Sequence, residues 1–383
     1  MRRSPHAAFA GIFVVTLLSL MAVGSVLPVL PRFVKGPLDS GNVAVGVVVG
    51  AFAFTGIGAR PIAGRLADSR GRRPTVIVGT LLAALAGLLY LVPAGLPGLI
   101  FARLVLGMGE GTVFTAGSAW IVDLAPPGRR GRVIGLYGLA VWSGLSIGPS
   151  VGELLYHASG FHLVWTFAAC APLVGALIAL RIPDPFRPSP QGARGPLIAR
   201  ESIRPGSALS LASVGYAAMA AFIVLHLKAH GDPHGAIAFT VFAATVVLTR
   251  LIAGDLPDRV GPLRCAAGAA AVESLGLATI ALSTSLSTAI LGAAAMGTAF
   301  SLLYPSLSLV VVNRVPEARR GAALGTFTGF FDLGVGLGAP LAGVAAALGG
   351  YSAAFWLASG CALGTLAVAL ALRRAAAAAP AVG

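Results

Sequence analysis

RPIAGRLADSRG, residues 60–71, returns as RLIAGDLPDRVG at residues 250–261, 190 positions later. Two further pairs keep the same offset: RGRVIG at 130–135 with RGAALG at 320–325, and GF at 160–161 with GY at 350–351. Similarity in three separate places at one spacing marks two copies of a unit about 190 residues long. What each copy contains follows from the composition around the motifs.

Of the 383 residues, 57% are apolar and only 10% charged, against about 25% charged in soluble domains. Apolar runs long enough to cross a hydrocarbon layer of ~30 Å recur along the whole chain. Hydropathy and loop charge predict twelve spans: 8–31, 42–66, 74–94, 97–122, 132–155, 162–182, 206–229, 235–256, 264–285, 287–313, 321–347 and 351–372. The predicted fold is an all-α integral membrane protein, with residues 1–182 and 206–383 each forming a six-helix bundle. Segment 183–205, PDPFRPSPQGARGPLIARESIRP, carries six prolines and reads as a cytoplasmic linker. An even number of spans between the copies gives both the same orientation, which is the parallel repeat of two-halved transporters.

The net charge of +14 invites a nucleic-acid partner, but its placement argues against one. All but six of the 27 Lys and Arg fall in the tails or in every second inter-helix loop; the six are Arg32, Lys35, Arg60, Arg103, Lys228 and Arg250. That alternation is the positive-inside pattern with both termini cytoplasmic. The N-terminal apolar run continues to Leu30 with no clear cleavage site, so it reads as a retained first helix. Cys170, Cys265 and Cys361 form no paired framework and read as packing residues. No phosphate-binding loop and no Ser/His, paired-Asp or HExxH constellation stands in the spans, which leaves a polytopic membrane enzyme as a remote alternative. No cofactor or metal is implied.

The stretch GRLADSRGRRP, Gly64 to Pro74, joins the second and third predicted spans, with Asp68 an acid among bases. Here the chain resembles the major facilitator superfamily, specifically its 12-helix drug:proton antiporter-like branch. Gly64, Leu66, Ala67, Asp68, Gly71, Arg72 and Arg73 match that family's loop signature, and Ser69 departs from it. The resemblance implies a conformational latch built on Gly64, Asp68, Gly71 and Arg72, with Asp123 at the end of the fourth span as an ion-pair partner. In GLSIGPSVGE, residues 144–153, Gly144, Gly148 and Gly152 recur every four residues and allow close helix approach, while Pro149 bends the helix. This is similar to the family's antiporter signature, with Glu153 in place of its last glycine, and it favours export over uptake.

A charge near the bilayer centre costs about 3 kcal/mol on insertion scales, so charges kept there face the bundle interior. Arg103 and Glu110 in RLVLGMGEG (103–111), Glu273 and Asp332 lie inside predicted spans. Arg103 with Gly107 and Gly109 matches the family's fourth-helix signature, which implies a part in proton transfer. Glu110 stands where that signature has a small residue. Seven residues put it on the arginine's face, about 10 Å away along the axis, a gap that a long arginine shortens directly or through water. A carboxyl in a low-dielectric cavity holds its proton until water or a cation arrives. That makes Glu110 the expected coupling carrier, with Asp332 second or a site for a cationic solute; an interhelical ion pair or a protonated acid bonded to backbone is the structural alternative, and for Glu273 the preferred one. Phe114, Trp142, Tyr304 and Phe331 are candidates for lining an apolar solute site. His226, His230 and His234, spaced by four, read as a solvated loop rather than metal ligands because Pro233 breaks the helix.

The functional expectation is a secondary transporter in the cell inner (plasma) membrane, working by alternating access and sufficient as a monomer. Proton-coupled efflux of a small hydrophobic or amphipathic compound leads; proton-coupled uptake of a small metabolite or sugar is the alternative.

Overall fold

The computed structural model describes residues 5–124, 130–184, 199–315 and 320–378, with side chains described for 7–124, 137–184, 199–315 and 323–376. Most of the expected linker therefore lies outside the described residues, as does the APPGR stretch after Leu124. Every regular element among the described residues is helical. Ten apolar stretches of 19 to 54 residues are long enough to cross a membrane, and two of them, 137–179 and 323–376, each hold two membrane-length helices joined at a kink, so the described residues hold twelve such helices.

The chain separates into two compact units, one comprising Met1–Ser40 and Ala51–Arg194, the other Gly41–Gly50 and Gly195–Gly383. The first contains α1 (Pro5–Val26), α2 (Leu30–Lys35), most of α3 (Asn42–Arg70), α4 (Arg72–Tyr90), α5 (Gly95–Leu124) and α6 (Arg130–Ala179). The second contains α7 (Ile203–Ala229), α8 (Gly235–Ala253), the short α9 (Leu256–Val260), α10 (Pro262–Leu282), α11 (Leu286–Val312) and α12 (Arg320–Ala378). The first turns of α3 group with the second unit because Asn42 donates to the Ala346 carbonyl at 3.0 Å and Gly50 lets Gly336 and Pro340 approach.

Four expected boundaries shift for local reasons. The first span ends at Val26, and Pro28 and Pro31, which have no N–H to give, set off the short α2. The signature between the second and third spans is mostly helix: α3 runs to Arg70, and Gly71 alone makes the turn at φ 108°. The breaks expected at 155–162 and 347–351 shrink to single turns inside α6 and α12, at Ser159–Gly160 and Gly349–Gly350.

The repeat is visible in the backbone. Gly71 and Gly261, like Gly160 and Gly350, have positive φ at the 190-residue offset. It extends to packing: a Cβ on Gly107 would collide with the Phe52 carbonyl and Thr55 Oγ1, and one on Gly297 with the Phe242 carbonyl and Thr245 Oγ1, which are the equivalent atoms. Each unit has its own apolar core, around Trp120, Ile121, Val15 and Leu20 in the first and Phe327, Leu303, Leu307 and Val311 in the second. The outward faces are apolar as well: Leu348 is 86% exposed, Ile252 80% and Leu154 70%. Helices apolar on both faces suit hydrocarbon, not water.

Candidate functional site

In the first unit the acid singled out in α5 is paired, and with an arginine that the spacing argument did not offer. Glu110 Oε2 lies 3.7 Å from Arg60 Nη2, with both side chains about nine-tenths buried (12% and 10% exposed, respectively). α3 and α5 meet here because Gly111 and Gly56 carry no side chains; a Cβ on Gly111 would touch the Gly56 backbone and the Arg60 stem at 3.3–3.5 Å. The Arg60 guanidinium sits 4.8 Å over the Phe114 ring, and Phe114 in turn leans on Tyr137. Tyr137 receives a hydrogen bond from Thr16 Oγ1 at 3.3 Å and lies within electrostatic reach of both Glu110 and Arg60. A buried acid, a buried base and a hydroxyl thus converge from α1, α3, α5 and α6.

Arg103, two turns before Glu110, is fully buried. Its guanidinium lies 4.7 Å over the Phe52 ring, a cation–π contact, and within electrostatic reach of the Tyr90 hydroxyl. The second unit does not copy the Arg60–Glu110 pair. Arg250, the counterpart of Arg60, donates to the Ser301 carbonyl at 2.9 Å, and the counterpart of Glu110 is Phe300. The acid is therefore an addition of the first unit.

At the α3–α4 turn the structure brings signature residues together. Arg72 pairs with Asp68 one turn back, and its Nε lies 2.9 Å from Asp123 at the end of α5. Asp184 accepts a hydrogen bond from the Arg73 backbone N–H at 2.9 Å, an anion at a helix N-terminus where the helix dipole favours one. Gly64 borders Thr115 at ordinary van der Waals distance. The α6 glycines seat α6 on α1: a Cβ on Gly144 would lie 2.8 Å from the Leu17 carbonyl oxygen, one on Gly148 2.6 Å from Gly24 Cα, and one on Gly152 would strike the Ser25 carbonyl. Pro149 stands within that helix. Glu153, a departure from the signature, has its own partner, Arg32 Nη1 at 2.9 Å. The sequence carried no signal for that pair beyond the two charges.

In the second unit Asp332 is buried in α12 (1% exposed). Phe331 joins an aromatic cluster with Tyr216 and Phe300, ring centroids 5.9 and 6.2 Å away; Phe331 is among the residues expected from the sequence, whereas Tyr216 and Phe300 are not. Tyr304 exchanges a hydrogen bond with Thr328 Oγ1 at 2.9 Å. Trp142 packs on the first unit's core, as Phe114 does.

The histidine group corrects the sequence reading. His226 is not in a solvated loop but fully buried at the end of α7, with Nε2 3.0 Å from the Ser283 carbonyl. His230 Nδ1 bonds the His226 carbonyl and His234 lies beside Asp232, so the three face different partners. Among the described residues no cluster of three or more His, Cys, Asp or Glu gathers at metal distance. Cys170, read as a packing residue, is exposed on α6, while Cys265 is buried.

Comparison with known proteins agrees with this architecture. The Major Facilitator Superfamily profile matches residues 12–231 and 206–382. An uncharacterised MFS-type transporter of Salmonella typhimurium strain LT2 is 35% identical over 372 residues, covering 93% of this chain and 94% of the relative. The uncharacterised MFS-type transporter YhhS of Escherichia coli K12 is 33% identical, covering 89% and 86%. Among solved structures, the nucleoside transporter NupG superposes with a TM-score of 0.78 at 14% identity (96% and 99% covered). The human organic anion transporter MFSD10 superposes with a TM-score of 0.74 at 18% identity (96% and 100% covered); at such identities the likeness is one of fold. These relatives and neighbours are transporters, not enzymes. The chain belongs to the major facilitator superfamily, as a multi-pass membrane transporter of small-molecule solutes.

Proposed function

We propose that the transporter couples the efflux of a small hydrophobic or amphipathic compound to proton entry by alternating access, as in the drug:proton antiporter-like branch. The inner membrane would house it, both termini would be cytoplasmic, and a monomer would suffice. The observation that carries this reading is the buried Arg60–Glu110 pair. A carboxylate and a guanidinium that leave water together lose several kcal/mol each in hydration, so a proton arriving on Glu110 releases a real constraint between α3 and α5. Proton binding is then linked to helix movement, which is what coupling requires. Arg103 keeps the surroundings of α5 cationic, which favours the carboxylate and so release of the proton. Asp332 is proposed as a second carrier or as the contact for a cationic group. Phe114 and Trp142 are proposed as aromatic surface for an apolar solute within the first unit, and Tyr304 and Phe331 are proposed separately for that role within the second.

The test is a panel of lipophilic cationic dyes screened by thermal shift on purified protein, then followed in energised everted membrane vesicles with a pH-sensitive probe. Export by exchange predicts that adding a binding dye releases lumenal protons and that Glu110→Gln abolishes the release. Dye binding with no proton movement contradicts the reading; proton movement in the same direction as the dye favours uptake instead.

The Asp68–Arg72–Asp123 clamp is proposed to latch one conformation. Asp68 and Asp123 are 43% and 41% exposed, and ion pairs that wet contribute only ~0.2–1 kcal/mol to stability. Asp68→Asn should therefore leave the thermal unfolding midpoint nearly unchanged and still lower the transport rate severalfold. Equal, small losses in both would assign the clamp to structure alone.

A further inference from the structure

Glu273 stands apart from the residues assigned above. It lies in α10, is 0% exposed, and neither carboxyl oxygen has a hydrogen-bond partner among the described residues. Its side chain points at α7, where a Cβ on Gly215 would come within 3.0 Å of Oε1; the Leu277 and Met296 side chains border the same spot at 3.0 and 3.2 Å. The neighbouring Ser274 is already bonded to Ser359 at 2.9 Å. α10 packs on α7, α11 and α12, and the titratable group within electrostatic reach from these helices is the Cys361 thiol. No basic side chain among the described residues acts on the carboxyl.

A bare carboxylate in such surroundings has neither counter-charge nor donor, and a group in that position sheds its charge by taking a proton. Packing does not ask for the acid. The equivalent position in the first unit is Ala83, itself buried (2% exposed), where a methyl group fills the same place in the repeat. An acid kept at that cost, where alanine serves, calls for a use.

We propose that Glu273 is a further proton-binding site, held as a neutral acid inside the second unit and opened to water during the cycle along the α7 face at Gly215. The proton leaves to water and returns from it, with no other bond made or broken. The proposal does not rest on the role of Glu110, and the test keeps the two apart. Infrared spectra of the purified full chain in lipid nanodiscs are compared with those of Glu273→Gln, of Glu273→Ala (which copies Ala83) and of Glu110→Gln. Glu273 should give a carboxylic-acid C=O band that shifts on transfer to heavy water. The band should shrink about tenfold for each pH unit above its titration midpoint. It should vanish in both Glu273 variants and persist in Glu110→Gln. Either Glu273 variant suffices as the reference should the other not fold. Absence of any such band overturns the proposal. So does a band indifferent to heavy water and to pH, which would mark a sealed, purely structural acid. N,N′-dicyclohexylcarbodiimide, which adds to protonated carboxyls, gives an independent reading by mass spectrometry: label on Glu273 that falls with rising pH supports the proposal, and no label at any pH opposes it.

Discussion

Glu110→Gln should abolish pH-driven accumulation while leaving solute exchange across the membrane largely intact. Glutamine keeps the volume and hydrogen-bonding capacity of the side chain but can neither take up a proton nor balance Arg60. Coupling between two sites typically amounts to 1–3 kcal/mol, roughly 5–150-fold, and losing the proton-binding member forfeits it. Counterflow of a labelled solute, which needs no net proton movement, separates a coupling defect from a binding defect. Arg60 retains its place over the Phe114 ring, 4.8 Å away, so the variant should fold, at a moderate cost in thermal stability. Equal damage to counterflow and to accumulation would show Glu110 to be a binding or structural residue.

The second large effect concerns packing. Gly107→Val should prevent accumulation of folded protein, and Gly297→Val should do the same to the other half. At both positions the added atoms run into a backbone carbonyl and a threonine hydroxyl of the neighbouring helix, not into a mobile side-chain tip. Overpacking a well-packed interface costs about 1–3 kcal/mol and more when backbone must move. Gly268, in α10, has nothing within 4 Å of an added Cβ. Gly268→Ala should be neutral or slightly stabilising, by up to ~1 kcal/mol. Fluorescence-detected size-exclusion profiles and thermal unfolding of the three variants read the contrast directly. A monodisperse, wild-type-like peak for Gly107→Val would mean that α3 and α5 pack more loosely than the glycine contact indicates.

Much of the fold was legible because membrane spanning leaves few choices. Apolar length marked the spans, charge alternation marked the loops, and the repeat at 60–71 and 250–261 tied the halves together. The same glycines that identified the repeat, Gly71 with Gly261 and Gly160 with Gly350, turn out to adopt the same positive-φ turn. The Asp68–Arg72–Asp123 cluster was reachable from the family resemblance, since two of its members sit in one motif.

The pairing of Glu110 was not reachable in that way. Spacing along one helix points to Arg103, whereas Arg60 comes from a helix 50 residues away whose rotation only packing decides. Glu153 and Arg32, 121 residues apart, illustrate the same limit. His226 was misread because a loop was inferred from Pro233, which lies beyond the end of α7 and leaves the histidine inside it. For Glu273 the sequence favours a structural acid, and only its surroundings distinguish it.

The most direct test of proton-coupled export records lumenal pH and a labelled dye together in proteoliposomes of known orientation, under an imposed pH gradient. The account predicts that dye and protons cross in opposite directions and that Glu110→Gln stops the coupled movement of both. Dye and protons crossing in the same direction, or dye crossing with no change in lumenal pH, would contradict it.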